Sequence, residues 1–221
     1  MTAVSISARA VLLDMDGTLV NSDAVVERLW AEWAEVQGLP WDVVEPVIHG
    51  RQGWLTMSML LPERPMEANL ADEARMLDES RTDVGGVVPV PGAPAFLAAL
   101  AGLPHALVTS ADEDLARRRM GAAGLPYPEV AVTADLVTAS KPDPEGFLQA
   151  AARLGAAPGE CLVLEDSEAG IAAGLAAGMR VLGIGARAAQ FAPTFWAADL
   201  TAVAVARAHD GEVRLTLGRA G

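Results

Sequence analysis

The chain has 221 residues, of which 52% are hydrophobic and 20% charged, a composition typical of a globular protein and not of a disordered one. Its formal net charge of −13 disfavours nucleic-acid and membrane partners, because so acidic a surface repels phosphate backbones and anionic lipids. The lone cysteine, Cys161, cannot form an internal disulfide, and neither a signal peptide nor a spanning helix is recognisable. We therefore expect a cytoplasmic protein.

Short apolar runs rich in Val, Leu and Ile recur along the chain and end in a polar or small residue. They cover residues 10–13, 106–108, 130–132, 162–164 and 181–184. Continuous hydrophobicity of this kind indicates strands buried on both faces of a parallel sheet. Helix-like stretches lie between them, at residues 93–100, 112–122, 144–154 and 167–177. This alternation predicts an α/β fold with a Rossmann-like, doubly wound parallel sheet.

The stretch from residue 19 to 87 interrupts the alternation. Ser22 is placed to cap a helix that Gly38 would end. The apolar face of this helix is predicted to comprise Val26, Leu29, Trp30, Trp33 and Val36. Further amphipathic stretches follow at 41–48, 53–61 and 68–81, and no strand-like run is evident. We predict a helical domain at 19–87, inserted into a core domain of residues 1–18 and 88–221.

Polar residues follow the predicted strands at the points where ligands bind in an open parallel sheet. These residues are Asp14 and Asp16 after the first strand, Thr109 and Ser110 after the second, Lys141 in the loop after the third, and Glu165 and Asp166 after the fourth. Lys141 is the only lysine among sixteen basic residues. Massed carboxylates repel one another unless a cation holds them, and oxygen ligands favour a hard ion such as Mg²⁺.

Such a set of groups suits phosphoryl transfer. One carboxylate can attack a phosphoryl group, while Mg²⁺, Lys141, Thr109 and turn amides near Gly17 neutralise its oxygens. A second acid must protonate the leaving alkoxide and then activate water, and Asp16 is placed for that task. Its side chain would point away from Asp14 in a regular strand, so the chain must leave strand geometry there, which Gly17 permits.

These residues resemble the four motifs of the haloacid dehalogenase superfamily, in order and spacing, over nearly the whole chain. The resemblance implies that Asp14 is the nucleophile and Asp16 the acid/base. It implies phosphate binding by Thr109, with Ser110 beside it, and by Lys141. It also implies Mg²⁺ bound by Asp14, the backbone carbonyl of Asp16 and Asp166, with Glu165 assisting. The helical insertion resembles the C1 cap, which closes over the substrate.

The segment from His49 to Gln52 is similar to one found in sugar-phosphate and glycerol-phosphate phosphatases. His49, Arg51 and Gln52 are therefore candidate substrate contacts. We expect a Mg²⁺-dependent phosphatase of a small sugar or polyol phosphate, acting as a monomer or homodimer. A sugar phosphomutase of the β-phosphoglucomutase type shares the core and cap layout and stays open, as does a non-catalytic phosphometabolite-binding protein. The tail after about Asp199 could add a strand or an oligomer contact.

Overall fold

The computed structural model describes residues 4–208 and 211–218. Within these ranges the strands are β1 (Val4–Ala8), β2 (Ala10–Leu13), β3 (Val20–Asn21), β4 (Val88–Pro89), β5 (His105–Val108), β6 (Ala131–Val132), β7 (Cys161–Glu165), β8 (Arg180–Ile184), β9 (Phe195–Ala197), β10 (Val203–Arg207) and β11 (Val213–Leu217). The helices are α1 (Asp23–Gln37), α2 (Trp41–Val44), α3 (Gly53–Leu60), α4 (Met66–Thr82), α5 (Ala93–Leu100), α6 (Glu113–Ala122), α7 (Glu145–Arg153), α8 (Glu168–Ala176) and α9 (Gly185–Ala188). None of these described helices combines the length and apolar character needed to span a membrane.

The central sheet is parallel, with strand order β6-β5-β2-β7-β8-β9. Every residue of β2 and β7 is buried, as their continuous apolar runs predict. Successive residues of β2 enter two different hydrophobic clusters, Val11 and Leu13 on one face and Ala10 and Leu12 on the other. The predicted α/β fold class with a doubly wound parallel sheet is confirmed.

The register of the central strands brings their carboxyl ends together. Leu13 at the end of β2 pairs with Leu107 of β5 and with Leu164 of β7. The backbone N–H of Asp14 then donates to the carbonyl of Leu164 at 3.0 Å. The residues that follow these strands are therefore neighbours at one edge of the sheet.

The tail forms part of a second sheet. Strands β10 and β11 pair antiparallel, and β11 also pairs with β1, where Val4 lies opposite Leu217. The sequence left open whether this tail adds a strand or an oligomer contact, and the structure shows that it adds strands. His209 and Asp210 lie outside the described residues, and an oligomer contact stays a prediction.

Helices α1 to α4 form a helical segment (residues 23–82) whose two ends are joined by a short ribbon. Strands β3 and β4 pair antiparallel, with Val20 opposite Pro89. The expectation that residues 19–87 hold no strand was wrong at Val20, because a two-residue strand is too short to leave a periodic pattern. The helical content of the stretch is as predicted, and the domain boundaries stay a prediction.

Helix α1 buries a slightly different face from the one predicted. Val25 is buried, whereas Val36 is 78% exposed. Val36 lies in the last turn of the helix, and burial there depends on which elements lie nearby as well as on the helical period. Gly38 adopts a left-handed conformation, with φ of 69°, and ends the helix as expected.

Candidate active site

A buried ion cluster lies at the carboxyl edge of the central sheet. The Nζ of Lys141 donates to Asp14 Oδ1 at 2.5 Å, to Glu165 Oε1 at 2.8 Å and to the carbonyl of Val108 at 3.2 Å. The lysine is only 6% exposed, so its charge is sheltered from water and its three donors are all used. A buried ammonium is tolerated because carboxylates on two strand ends surround it.

The cluster holds more acidic groups than basic ones. Burial, and then the neighbouring Glu165 carboxylate, raises the pKa of Asp14 to about 8. Burial and Glu165 likewise raise the pKa of Asp166 well above its ordinary value. Against the effect of burial, the carboxylates of Asp14 and Glu165 raise the pKa of Lys141. A further cation at this edge would relieve the repulsion among the acids.

The carboxylates offer a place for such a cation. Asp14, Glu165 and Asp166 each present an oxygen within 4.8 Å of the others. Asp166 Oδ1 is buried and has no hydrogen-bond partner, which suits a metal ligand, since buried polar atoms otherwise find partners. Arg187 Nη1 lies 3.2 Å from the other oxygen of Asp166. The acidic group can therefore hold a metal ion.

Glu165 is engaged elsewhere. Its Oε1 accepts from Lys141, and its Oε2 accepts from the backbone N–H and the hydroxyl of Ser167, at 2.7 and 2.9 Å. Because both oxygens already have partners, Asp14 and Asp166 are the better placed metal ligands. In this structure Glu165 contacts the ammonium of Lys141 directly.

Gly17 lies in the loop after Asp16, next to the carboxylate of Asp166. Its φ is 85°, and a Cβ added there would overlap the carboxylate of Asp166. A glycine is therefore required for both the turn and the close approach. Its amide, predicted to bind phosphate, instead donates to the carbonyl of Val20 at 2.7 Å.

Asp16 leaves strand geometry as expected and lies at the cavity wall, with 29% of its side chain exposed. Its Oδ1 accepts from the hydroxyl of Ser22 at 2.6 Å and meets Arg119 Nη1 at 2.9 Å. The prediction that Ser22 caps α1 with its side chain was wrong, because its hydroxyl is turned to Asp16 and makes no capping hydrogen bond.

The cavity has a volume of about 320 Å³ and lies between the sheet edge and the helical segment. Of the predicted site residues, those lining it are Asp14, Asp16, His49, Arg51, Gln52, Thr109 and Ser110. The remaining predicted residues, Gly17, Lys141, Glu165 and Asp166, lie at the sheet edge around Asp14. The structure thus brings all the predicted site residues to one region.

Two hydrogen bonds join the loop at 49–52 to the sheet edge. The hydroxyl of Ser110 donates to the carbonyl of Gly50 at 3.2 Å, and the amide of Gln52 donates to Ser140 Oγ at 3.0 Å. Thr109 faces the cavity, and its oxygen accepts from the amide of Ala111 at 3.1 Å. Its own O–H is therefore available to a ligand.

Two residues that line the cavity, Arg119 and Glu73, were not predicted from the sequence. Arg119 belongs to an Arg-Arg-Arg run, and only its position on the buried face of α6, beside Leu115 and Met120, could have singled it out. Glu73 of α4 lines the wall of the cavity in the helical segment, close to the backbone at Gly53, and burial raises its pKa. No sequence signal separates it from other acidic residues of that helix.

His49 predicts a measurable acid sensitivity. Burial, and then the Arg187 cation, lowers the pKa of His49 from 6.5 to about 4. His49 therefore binds a proton more readily in the unfolded chain than in the folded one. The contribution of its neutral form to the free energy of unfolding is complete above about pH 6.5 and is lost as the pH falls towards 4. Between pH 7 and 4.5, we expect the wild type to lose about 2 kcal/mol more of its free energy of unfolding than His49→Gln loses, as measured by urea unfolding. Identical pH dependence of the two proteins would contradict this.

The chain is similar to known hydrolases in sequence and in fold. A family model described as haloacid dehalogenase-like hydrolase matches residues 8–178. The chain is 44% identical to hexitol phosphatase A of Escherichia coli over 180 residues, covering 80% of this chain and 83% of that protein. It is 31% identical to glycerol-1-phosphate phosphohydrolase 2 of Saccharomyces cerevisiae, covering 82% and 76%. A hydrolase structure from Pseudomonas syringae superimposes with a TM-score of 0.73 at 24% identity, covering 87% and 94%.

Proposed function

Because the chain belongs to the haloacid dehalogenase-like hydrolase family and is a phosphoric monoester hydrolase, we propose that it hydrolyses a small sugar or polyol phosphate through a phospho-aspartate on Asp14. The observation that carries the proposal is the buried pairing of Asp14 with Lys141 beside a cavity that Asp16 also lines. The likeness to hexitol phosphatase A supports the substrate class.

In the first half of the reaction, a carboxylate oxygen of Asp14 attacks phosphorus and the ester P–O bond breaks. The bonding electrons stay with the leaving oxygen, to which Asp16 gives a proton. The ammonium of Lys141, 2.5 Å from Asp14, offsets the negative charge of the transferred phosphoryl group. The free O–H of Thr109 can donate to the same group.

In the second half, water attacks the phosphorus of the acyl-phosphate. Asp16, now a carboxylate, takes a proton from that water, which restores its acid form. Inorganic phosphate leaves and the Asp14 carboxylate is regenerated. One residue can make both proton transfers because the side chain of Asp16 lines the cavity, where the leaving alcohol and then the water would lie.

The residues fit a Mg²⁺ ion held by Asp14, Asp166 and the backbone carbonyl of Asp16. The support is the buried, unpartnered Oδ1 of Asp166 within a group of carboxylate oxygens, the donor type that Mg²⁺ prefers. When bound, the ion would neutralise charge on the phosphoryl oxygens. Glu165 is assigned to holding Lys141, since both its oxygens are engaged.

The cavity suits a short polyhydroxy chain. Its volume of about 320 Å³ lies at the low end of the usual range for small-molecule pockets, about 300–1,000 Å³. The wall in the helical segment combines apolar surface from Trp30 and Met76 with polar groups from Gln52, Glu73 and Ser80. Carbon-bound hydrogens can contact the apolar groups while hydroxyls donate to the Glu73 carboxylate.

Phosphate release from a panel of polyol and sugar monophosphates, with Mg²⁺ and with a chelator, tests the proposal. We expect phosphate release with Mg²⁺ and none with the chelator. Release should be fastest from substrates with several hydroxyls. No release from any monoester would contradict a phosphatase. Interconversion of sugar monophosphates that requires a bisphosphate, without net release, would support the mutase instead.

A further inference from the structure

One arginine of α6 differs from its neighbours in burial and in partner. Arg117 and Arg118 are more than half exposed and pair with Glu113 and Asp114 one turn earlier on the same helix. Arg119 is 6% exposed, and its guanidinium pairs with Asp16. Within the described part of the chain, this ion pair is its one polar contact. A buried cation held by a single carboxylate is costly unless that contact is maintained.

The contacts of Asp16 distinguish its two oxygens. Oδ1 meets both Arg119 Nη1 at 2.9 Å and the hydroxyl of Ser22 at 2.6 Å. None of the described residues contacts Oδ2 by a hydrogen bond or an ion pair. One oxygen thus accepts from a hydroxyl and faces a cation, and the other is left to exchange a proton with a ligand in the cavity.

The hydroxyl and the cation come from different parts of the fold. Ser22 precedes α1 at the start of the helical segment, whereas Arg119 lies on α6, the helix that follows strand β5 of the central sheet. Two contacts on one oxygen oppose rotation of the carboxylate about its side-chain bonds, and a planar guanidinium is better suited to this than the ammonium on a flexible lysine side chain.

We propose that Arg119 is a positioning residue, which holds Asp16 so that Oδ2 faces the oxygen of the leaving alcohol. The inference rests on the proposed function, because it concerns proton transfer to that alcohol. Arg119 acts through Asp16, since it pairs with that carboxylate and not with Asp14, whose ion pair is with Lys141.

The test compares two leaving groups. An alkyl phosphate such as glycerol 1-phosphate expels an alkoxide that needs a proton, whereas p-nitrophenyl phosphate expels a stable phenolate. The value of kcat/KM reports the steps through formation of phospho-Asp14. We expect Arg119→Gln to lower kcat/KM about 100-fold for the alkyl ester and less than about threefold for the aryl ester. Arg119→Lys should recover part of the loss on the alkyl ester.

The matched control is Arg118→Gln, which changes an exposed arginine of the same helix and should alter neither value by more than about twofold. Equal losses on both esters, or no loss on either, would overturn the proposal. If Arg119→Gln fails to fold by circular dichroism, Arg119→Lys carries the same comparison with the same criteria. Failure of the wild type on both esters would instead contradict the proposed function.

Discussion

Replacing Asp14 by asparagine is expected to lower phosphate release by a factor on the order of 10⁵ while leaving the fold intact. An amide oxygen is a poor nucleophile and cannot form the acyl-phosphate. The substitution keeps the shape of the side chain and an oxygen that can accept from Lys141, which now lies 2.5 Å from Asp14 Oδ1. Steady-state phosphate release with Mg²⁺ and the circular dichroism of Asp14→Asn measure the two effects.

Asp42→Asn serves as the matched control, because Asp42 is an exposed aspartate of α2 and does not line the cavity. We expect the control to keep wild-type activity. Mass spectrometry after acid quench should find an added phosphoryl group on the peptide containing Asp14 in the wild type, and none there in Asp14→Asn. Retention of more than about a tenth of the activity by Asp14→Asn would show that another group is the nucleophile.

The sheet and the gathering of the site could be predicted because both follow from strong, local signals. Strands β2 and β7 are buried on both faces, so their sequences are continuously apolar and stand out. In a parallel sheet, the residues after such strands must meet at one edge. The gathering of Asp14, Glu165 and Lys141 therefore follows from the shared edge of a parallel sheet, although 127 positions separate Asp14 from Lys141.

Features that depend on distant partners could not be predicted. The β3–β4 ribbon joins Val20 to Pro89 through two-residue strands, which are too short for periodicity to detect. Ser22 has the sequence context of an ordinary helix-capping residue. Its hydroxyl donates to Asp16 instead, and only the fold brings these two residues together. Strand β9 is a three-residue run with an exposed tryptophan, Trp196, and so lacks the buried pattern of the other central strands.

Lys141→Met is expected to lower both stability and activity. Removing the ammonium leaves Asp14 and Glu165 buried without the cation that now lies 2.5 and 2.8 Å from them. Loss of one partner from a buried ion pair costs about 3–5 kcal/mol in free energy of unfolding, and partial protonation of Asp14, whose pKa is already raised, should hold the loss near the lower figure. Urea unfolding at pH 7 measures this change.

The activity loss has a separate cause, since the ammonium also offsets charge on the phosphoryl group, and we expect kcat/KM to fall by about 10³. The double variant Lys141→Met/Glu165→Gln separates the two effects. It removes one of the buried negative charges, so it should recover part of the lost free energy of unfolding. It restores no cation beside Asp14, so kcat/KM should stay low. Recovery of activity together with stability would mean that Lys141 serves the fold alone and does not bind the phosphoryl group.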